Sequence, residues 1–291
     1  MKKYIDFYRP GLGESWLIML AILLLGGALL SAAVVFVVNL IAPGSISATG
    51  TGWSTAILYP IPFILVFLFV FLRARNAYQT ALVSGRSPFP NPSSSLGKVP
   101  LLVFAVLIPV LVVTLSIIMD PLTSWMKMPE FIKDLFEKMT ENNFPTFLAV
   151  VIAAPLLEEW LVRKIALGGM LQHMAPWKAI MWSALMFGVI HGNPWQAIPA
   201  FLMGCLFGWV YYRTRSYWAC VSLHAINNGI SFLLAYLFPD LPADMSIRAF
   251  LGDQPYFISL GISLVLFFAV IYYLHKKLAY IPVKETTYER T

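Results

Sequence analysis

Charged residues are scarce in this chain: Asp, Glu, Lys and Arg make up 12% of its 291 residues, whereas hydrophobic residues make up 59%. Soluble domains carry about 25% charged residues. A soluble domain of this length also has too little core volume to bury so much apolar surface. The apolar residues fall in long runs rather than at amphipathic spacing, which is typical of membrane-spanning helices. The composition therefore excludes a soluble globular protein and predicts a polytopic membrane protein.

Cysteine is scarce as well. The two cysteines, Cys205 and Cys220, both lie inside predicted spans, so neither a disulfide framework nor a CxxC metal site is available. The zinc-protease motif HExxH is also missing from the sequence. A cleavable signal peptide is not expected, because the first apolar run, 16–42, is much longer than a signal peptide's hydrophobic region of about 7–15 residues.

The net charge of +6 could suggest a nucleic-acid partner. However, the basic residues lie at the ends of apolar runs rather than on one face, so they predict membrane topology and no nucleic-acid binding. The fold class we predict is an all-α membrane bundle of about eight transmembrane helices, in a single domain over residues 1–291 without internal repeats. The predicted spans are 16–42, 54–72, 99–119, 144–171, 177–192, 195–212, 217–238 and 256–275.

Two connections have a composition unlike that of a span. Residues 73–98 combine four basic residues with the breaker-rich segment SPFPNPSSS, which predicts an exposed loop. Residues 120–143 mix charged residues with large apolar residues at helical spacing, which predicts an interfacial helix before the fourth span. The apolar residues in that segment are Trp125, Met128, Phe131, Leu135 and Phe136.

The basic connections all fall on one side of an eight-span bundle. They are the N-terminus, the 73–98 loop, the turn at 213–215 and the C-terminal segment 275–277. The connections on the other side are neutral or contain more acidic than basic residues. Because positive loops stay in the cytoplasm, we expect a multi-pass plasma-membrane protein, surrounded by lipid, with both termini cytoplasmic.

The fourth predicted span carries two adjacent carboxylates, Glu158 and Glu159. A central charge in a membrane helix costs about 2.5–3.5 kcal/mol on the insertion scale. Glu159 and Arg163 are four residues apart with the acid first, the favourable order for a helical ion pair. Glu158 points about 100° away and has no partner at i+3 or i+4. Glu158 is therefore the carboxylate available for chemistry, and its desolvation suits a general base.

Histidines lie in two later spans. Counting residues from the turn at 173–176 places His191 near the depth of Glu158 in an antiparallel helix pair. His224 and Asn228 are four residues apart, so they share one face of their helix. The count also places His224 nearer to the membrane surface, close to the turn at 215, and His191 deeper in the membrane. Tilted or broken helices are therefore needed to bring the two histidines together. A single histidine or asparagine in a span is often only an interhelical hydrogen-bonding group. The whole polar set predicts a functional site.

Three segments of this region resemble motifs of the CAAX-protease and bacteriocin-processing family of intramembrane proteases. The segments EEWLVR, FGVIH and HAINN resemble the family motifs EExxxR, FxxxH and HxxxN/B, in the same order. The resemblance covers about residues 140–240, which would form the catalytic core. It implies that Glu158 and His191 activate water, that His224 and Asn228 stabilise the oxyanion, and that Glu159 and Arg163 support the site. We expect no cofactor, with zinc as the alternative.

The resemblance predicts an endopeptidase that cleaves a peptide, with or without a prenyl group, within the membrane. Three alternatives stay open. Glu158, His191 and His224 could instead bind a catalytic zinc ion, with one position left for water. The chain could be a non-catalytic immunity or scaffold protein of the same fold, although all of the motif residues are present. A transporter or proton relay also keeps buried ionisable residues, but the inverted repeats expected of a transporter are missing.

Overall fold

The computed structural model describes residues 2–46, 52–89, 94–133, 143–242 and 244–278, and within these ranges the secondary structure is helical with no strand. The predicted all-α class is therefore confirmed. Short helices are α1 (Lys2–Ile5), α3 (Trp53–Leu58) and α10 (Ile247–Leu251). Long helices are α2 (Leu12–Ile41), α4 (Ile61–Ser84), α5 (Leu101–Thr123), α6 (Phe144–Met170), α7 (Pro176–Val189), α8 (Pro194–Thr214), α9 (Tyr217–Leu237) and α11 (Asp253–Lys277).

A helix lies at each of the eight predicted spans. Within the described ranges, six helical segments are long and apolar enough to cross a membrane, counting α3 and α4 together as one. The two that do not qualify are α7, which has 14 residues, and α8, which is less apolar. At 1.5 Å per residue, α7 is about 21 Å long, shorter than the roughly 30 Å hydrocarbon core of a bilayer. Helix α7 thus ends before it could cross a bilayer, and residues 190–193 connect it to α8.

Helix α6 is the centre of the bundle. In the apolar 18-residue stretch of α6, 50% of the residues are buried, whereas in the corresponding stretch of α2, at the edge of the bundle, 11% are buried. Helices α7, α8, α9 and the short α3 pack around α6, while α2 packs against α4, and α5 packs against α11. The polar residues of the fourth predicted span therefore lie where the surrounding helices meet.

The predicted interfacial helix before α6 is described only in part. Residues 130–133 are helical, but Leu135 and Phe136 lie outside the described residues. Among the described members of the predicted apolar face, Trp125 and Phe131 are exposed, whereas Met128 is buried against the protein. The start of a helix is thus confirmed, and the apolar face is divided between exposed and buried positions.

One end of the bundle collects the connections that the sequence places on the basic side. The predicted start of the 73–98 loop is wrong, because α4 continues as a helix to Ser84. The connection after α4 contacts the end of α8, where Ser95 N donates to Thr214 O at 2.9 Å, and the C-terminal segment, where Lys98 N donates to Lys277 O at 2.8 Å. The N-terminal segment lies at the same end, through contacts of Phe89 N with Asp6 O and of His173 Nε2 with Arg9 O.

The opposite end collects the acid-rich connections. Asp120, at the end of α5, accepts a hydrogen bond from Ile247 N at 2.7 Å, and Lys133 forms an ion pair with Asp244 at 3.1 Å. The predicted division of the connections between two ends is therefore confirmed. The assignment of the basic end to the cytoplasm stays a prediction.

Helices α2 and α4 approach each other closely at Gly27. A Cβ atom built on Gly27 would lie 2.5 Å from Pro62 Cβ and 3.0 Å from Pro62 Cα. Pro62 belongs to the first turn of α4, so the glycine lets α2 hold the start of α4 in place.

We expect Gly27→Ala to destabilise the protein by about 1–3 kcal/mol, because the added methyl group overpacks against a proline ring and backbone that cannot move aside. The gain in helix propensity, about 1 kcal/mol, offsets only part of this cost. The measurement is thermal unfolding in detergent. Gly261→Ala in α11 is the matched control, since a Cβ there has no atom within 4 Å. Equal unfolding temperatures for the two variants would contradict the close approach.

Candidate active site

Helix α6 changes its winding around the two glutamates. Residues Leu148–Ala153 and Trp160–Leu167 are π-helical, and the α-helical stretch Ala154–Glu159 lies between them. π-helical turns are rare and are found frequently at functional sites, because each one shifts the direction of the side chains that follow. Here the two π-helical stretches set the directions of the adjacent residues Glu158 and Glu159 relative to the surrounding helices.

Glu159 and Arg163 form the predicted ion pair. Arg163 Nε lies 3.0 Å from Glu159 Oε2, and both side chains are fully buried. The atoms are close, but the N–H does not point along the line between them, so the contact is an ion pair rather than a well-aligned hydrogen bond. Arg163 also donates to Ser183 Oγ at 3.1 Å and stacks over the Phe187 ring, whose centroid is 4.7 Å from its guanidinium carbon. The pair therefore joins α6 to α7.

His224 lies between the two glutamates. Its Nδ1 is 3.0 Å from Glu159 Oε1, and its Nε2 is 4.0 Å from Glu158 Oε2. A carboxylate paired with arginine is ionised and can only accept, so Nδ1 of His224 is the donor in the first contact. The second distance is too long for a direct hydrogen bond. Glu159 thus orients the imidazole so that Nε2 faces Glu158.

Glu158 is held from a part of the chain that carries no recognised motif. The hydroxyl of Tyr59, at the break between α3 and α4, donates a short hydrogen bond to Glu158 Oε1. The other oxygen, Oε2, is buried and makes no hydrogen bond with any residue that the structure describes. The carboxylate is therefore anchored through one oxygen and presents the other towards His224.

His191 lies after the end of α7, in the α7–α8 connection. Its Nδ1 is 2.7 Å from Phe187 O. A carbonyl oxygen only accepts, so Nδ1 carries the proton and Nε2 of the neutral ring has a free lone pair. No ion pair or hydrogen bond links His191 to Glu158 or His224, all three of which the structure describes.

Phe187 bridges the two histidines. Its ring centroid lies 5.2 Å from that of His191 and 5.3 Å from that of His224, edge-to-face in both cases. Phe187 is one turn before His191, and its single ring contacts both imidazoles. The two histidines therefore belong to one cluster, although they do not touch.

Asn228 contacts the first π-helical stretch of α6. Its Nδ2 donates to Val150 O at 2.8 Å, and its Oδ1 accepts from Asn227 Nδ2 at 3.1 Å. One of the two N–H groups of Asn228 is therefore used inside the protein, which leaves one for a ligand. His224 and Asn228 share a face of α9 as predicted, but they bind different parts of α6.

The structure thus brings Glu158, Glu159, Arg163 and His224 into one connected network. His191 joins this network through Phe187, and Asn228 is attached to α6 separately. Among the described residues, no group of three His, Cys, Asp or Glu side chains is arranged to hold a metal ion.

Sequence reasoning did not identify Tyr59, Ser183 or the bridging position of Phe187. Ser183 and Phe187 contact Arg163 and lie on α7, shortly before His191, so helical spacing could have placed them nearby. Tyr59 is 99 residues away from Glu158 in the chain. Its only signal is its position beside Pro60 in an otherwise apolar span, where a helix break is expected.

The resemblance drawn from the three motifs is confirmed by comparison with known proteins. Residues 140–230 match the family model described as type II CAAX prenyl endopeptidase Rce1-like. One curated relative is "Putative membrane peptidase YdiL" from Bacillus subtilis (strain 168), which is 30% identical over 77 residues. That alignment covers 26% of this chain and 32% of the relative. No solved structure matches the chain.

The segment matched by the family model contains α6 to α8 and the histidine and asparagines of α9. At the level of the family, the match supports a membrane peptidase, and with the six apolar helices it indicates a multi-pass membrane protein. Tyr59, α2 and α4 lie outside the matched segment.

Proposed function

We propose that this protein is an intramembrane endopeptidase in which Glu158 activates the attacking water. The observation that carries the proposal is the arrangement of Glu158 itself. One carboxylate oxygen is anchored by Tyr59, and the other is buried without a hydrogen bond to any described residue and faces His224 Nε2 at 4.0 Å. A separation of that size suits a water molecule or substrate oxygen that contacts both groups.

In the proposed reaction, Glu158 accepts a proton from water, and the resulting hydroxide attacks the carbonyl carbon of the scissile peptide bond. The carbonyl oxygen becomes an oxyanion as the new C–O bond forms. When the C–N bond breaks, the protonated Glu158 returns its proton to the leaving amine. Atoms and charges balance without a further reactant.

His224 and Asn228 are the proposed donors to the oxyanion. Nδ1 of His224 is already bound to Glu159, so in the proposal the oxyanion accepts from Nε2–H of the doubly protonated ring, in which both nitrogens are donors. Glu159 fixes this imidazolium before the substrate arrives, as effective oxyanion stabilisation requires. Asn228 supplies its remaining N–H. The low dielectric of a buried site strengthens both interactions relative to water.

His191 is the proposed partner of Glu158 in activating water. Its Nδ1 is bound to Phe187 O, so the free lone pair on Nε2 is the form that a base requires. In the structure His191 does not reach Glu158, so the proposed role requires that water or substrate bridges the two groups.

The proposed substrate is a peptide that reaches the site from the surrounding lipid. The matched family is described as a prenyl endopeptidase, which makes a peptide with a prenylated cysteine one candidate. We also propose a plasma-membrane location with both termini in the cytoplasm, because the basic connections gather at one end of the bundle.

The test is cleavage of two synthetic peptides by the purified protein in lipid vesicles, one peptide prenylated on cysteine and one not. We expect cleavage of at least one peptide, at a rate that a metal chelator does not change, with less than stoichiometric metal in the purified protein. Loss of activity on chelation and its recovery with zinc would favour the zinc mechanism instead. Cleavage of neither peptide, nor of any member of a membrane-peptide library, would favour the non-catalytic alternative.

A further inference from the structure

The hydroxyl of Tyr59 makes a contact that the family resemblance does not account for. Tyr59 donates to Glu158 Oε1, and Tyr59 lies 81 residues before the start of the segment that matches the family model at residue 140. The first part of the chain therefore reaches the reacting carboxylate through this side chain.

Three features of the chain place the Tyr59 side chain beside Glu158. Helix α3 ends at Leu58, and Pro60 precedes the first residue of α4, so the helix is interrupted where Tyr59 stands. Pro60 and Pro62 lack backbone N–H donors, which prevents a regular helix from continuing through the break. The close approach of Gly27 to Pro62 then holds the start of α4 against α2.

Helix α3 is held against α6 by a second contact. The Trp53 and Phe144 rings lie 6.3 Å apart, edge-to-face, at the outer ends of the two helices. In α4, Phe67 packs on Trp160 with ring centroids 4.4 Å apart. The break at Tyr59 lies between these two contacts, so the tyrosine is presented to α6 by elements that are anchored on both sides.

The hydrogen bond from Tyr59 restricts the direction of the Glu158 carboxylate. A glutamate side chain has three rotatable bonds, and the terminal one is broad and roughly two-fold. A hydrogen bond to Oε1 selects one orientation and leaves Oε2 directed at His224. Without it, the carboxylate could rotate or hydrogen-bond elsewhere, and a misdirected base costs rate even when it is present.

We propose that Tyr59 is a positioning residue that orients Glu158 for the attack on the substrate, so that the first part of the chain completes the active site. This inference rests on the proposed function. It assigns Tyr59 no contact with the substrate, only with the carboxylate that activates water.

The test compares Tyr59→Phe with Tyr217→Phe in the full-length protein in vesicles. Tyr217 is the matched control, because its hydroxyl also donates to α6, at 2.8 Å, but to the backbone oxygen of Leu156 rather than to a carboxylate. We expect Tyr59→Phe to lower kcat by about 10-fold to 100-fold, the effect of losing a hydrogen bond to a charged group, with KM changed less than two-fold. Tyr217→Phe should keep both constants within about two-fold of the wild-type values.

Two further measurements separate positioning from a general structural role. Substrate affinity is measured in the inactive Glu158→Gln background, where adding Tyr59→Phe should leave Kd unchanged. Incorporation of 4-aminophenylalanine at position 59 restores a donor of similar size and should recover most of the lost kcat. Unfolding temperatures of all variants are recorded alongside.

The outcomes are distinguishable. Wild-type kcat in Tyr59→Phe, with Glu158→Gln inactive, would overturn the role of Tyr59 and leave the proposed function standing. A fall in kcat that 4-aminophenylalanine does not recover, together with a lowered unfolding temperature, would also overturn it. If Glu158→Gln cleaves as well as the wild type, the proposed function itself fails, and the role of Tyr59 fails with it.

Discussion

Replacement of Glu158 by glutamine is expected to abolish most of the peptidase activity while the protein remains folded. General-base catalysis contributes about 10²–10⁴-fold to a rate, and we expect kcat to fall by a factor in this range. Glutamine has the same size and can still accept from Tyr59 through its carbonyl oxygen, so the packing at the break between α3 and α4 should survive. The amide cannot take a proton from water, which is why the chemical step alone is lost.

The measurement is single-turnover cleavage of a peptide in vesicles, together with thermal unfolding. Glu130→Gln is the control, because this carboxylate lies outside the site and its side chain is 84% exposed. Its activity should equal that of the wild-type protein. Normal turnover by Glu158→Gln would remove Glu158 from the mechanism, and an inactive variant with a strongly lowered unfolding temperature would show that Glu158 acts through stability.

Replacement of Arg163 by alanine is expected to have the largest effect on stability. Glu159 would be left as a charge with no arginine partner in a fully buried position, and the loss of one member of a buried pair costs about 3–5 kcal/mol. The substitution also removes the contacts of Arg163 with Ser183 and with the Phe187 ring, so α6 and α7 lose a shared connection. We expect low yield and a lowered unfolding temperature.

The matched control for this prediction is Arg248→Ala. Arg248 also pairs with an acid, Asp253, but both side chains are more than half exposed, so solvent screens the interaction. Its unfolding temperature should stay close to that of the wild-type protein. If Arg163→Ala unfolds at the wild-type temperature, the buried pair contributes nothing to the fold and its support of His224 has to be reconsidered.

Local information in the sequence was sufficient for the positions of the helices and for one pair within the site. The long apolar runs predict the helices because a membrane helix must be apolar over most of its length. The Glu159–Arg163 pair follows from a spacing of four residues, since such residues are neighbours on any helix. The same geometry predicts that Glu158 is available for chemistry, because it has no charged partner one helical turn away.

Contacts between segments that are distant in the chain were harder to predict from the sequence. The count of residues from a turn assumes straight helices that all begin at the same depth. Helix α7 is short, and His191 lies beyond its end, so Phe187 rather than a direct contact connects His191 to His224. The π-helical stretches of α6 also change side-chain directions, and no simple periodicity in the sequence reveals them.

The buried ionisable residues were identifiable from the sequence alone, because a charge in an apolar span is too costly to be there without a reason. The division of Glu158 from Glu159 and Arg163 was equally local. Which groups approach Glu158 was decided only by the tertiary structure. Tyr59 reaches it from a helix break 99 residues earlier in the chain, and only the packing of the helices places that break beside Glu158. A contact of this kind depends on the assembled bundle, which residue spacing does not encode.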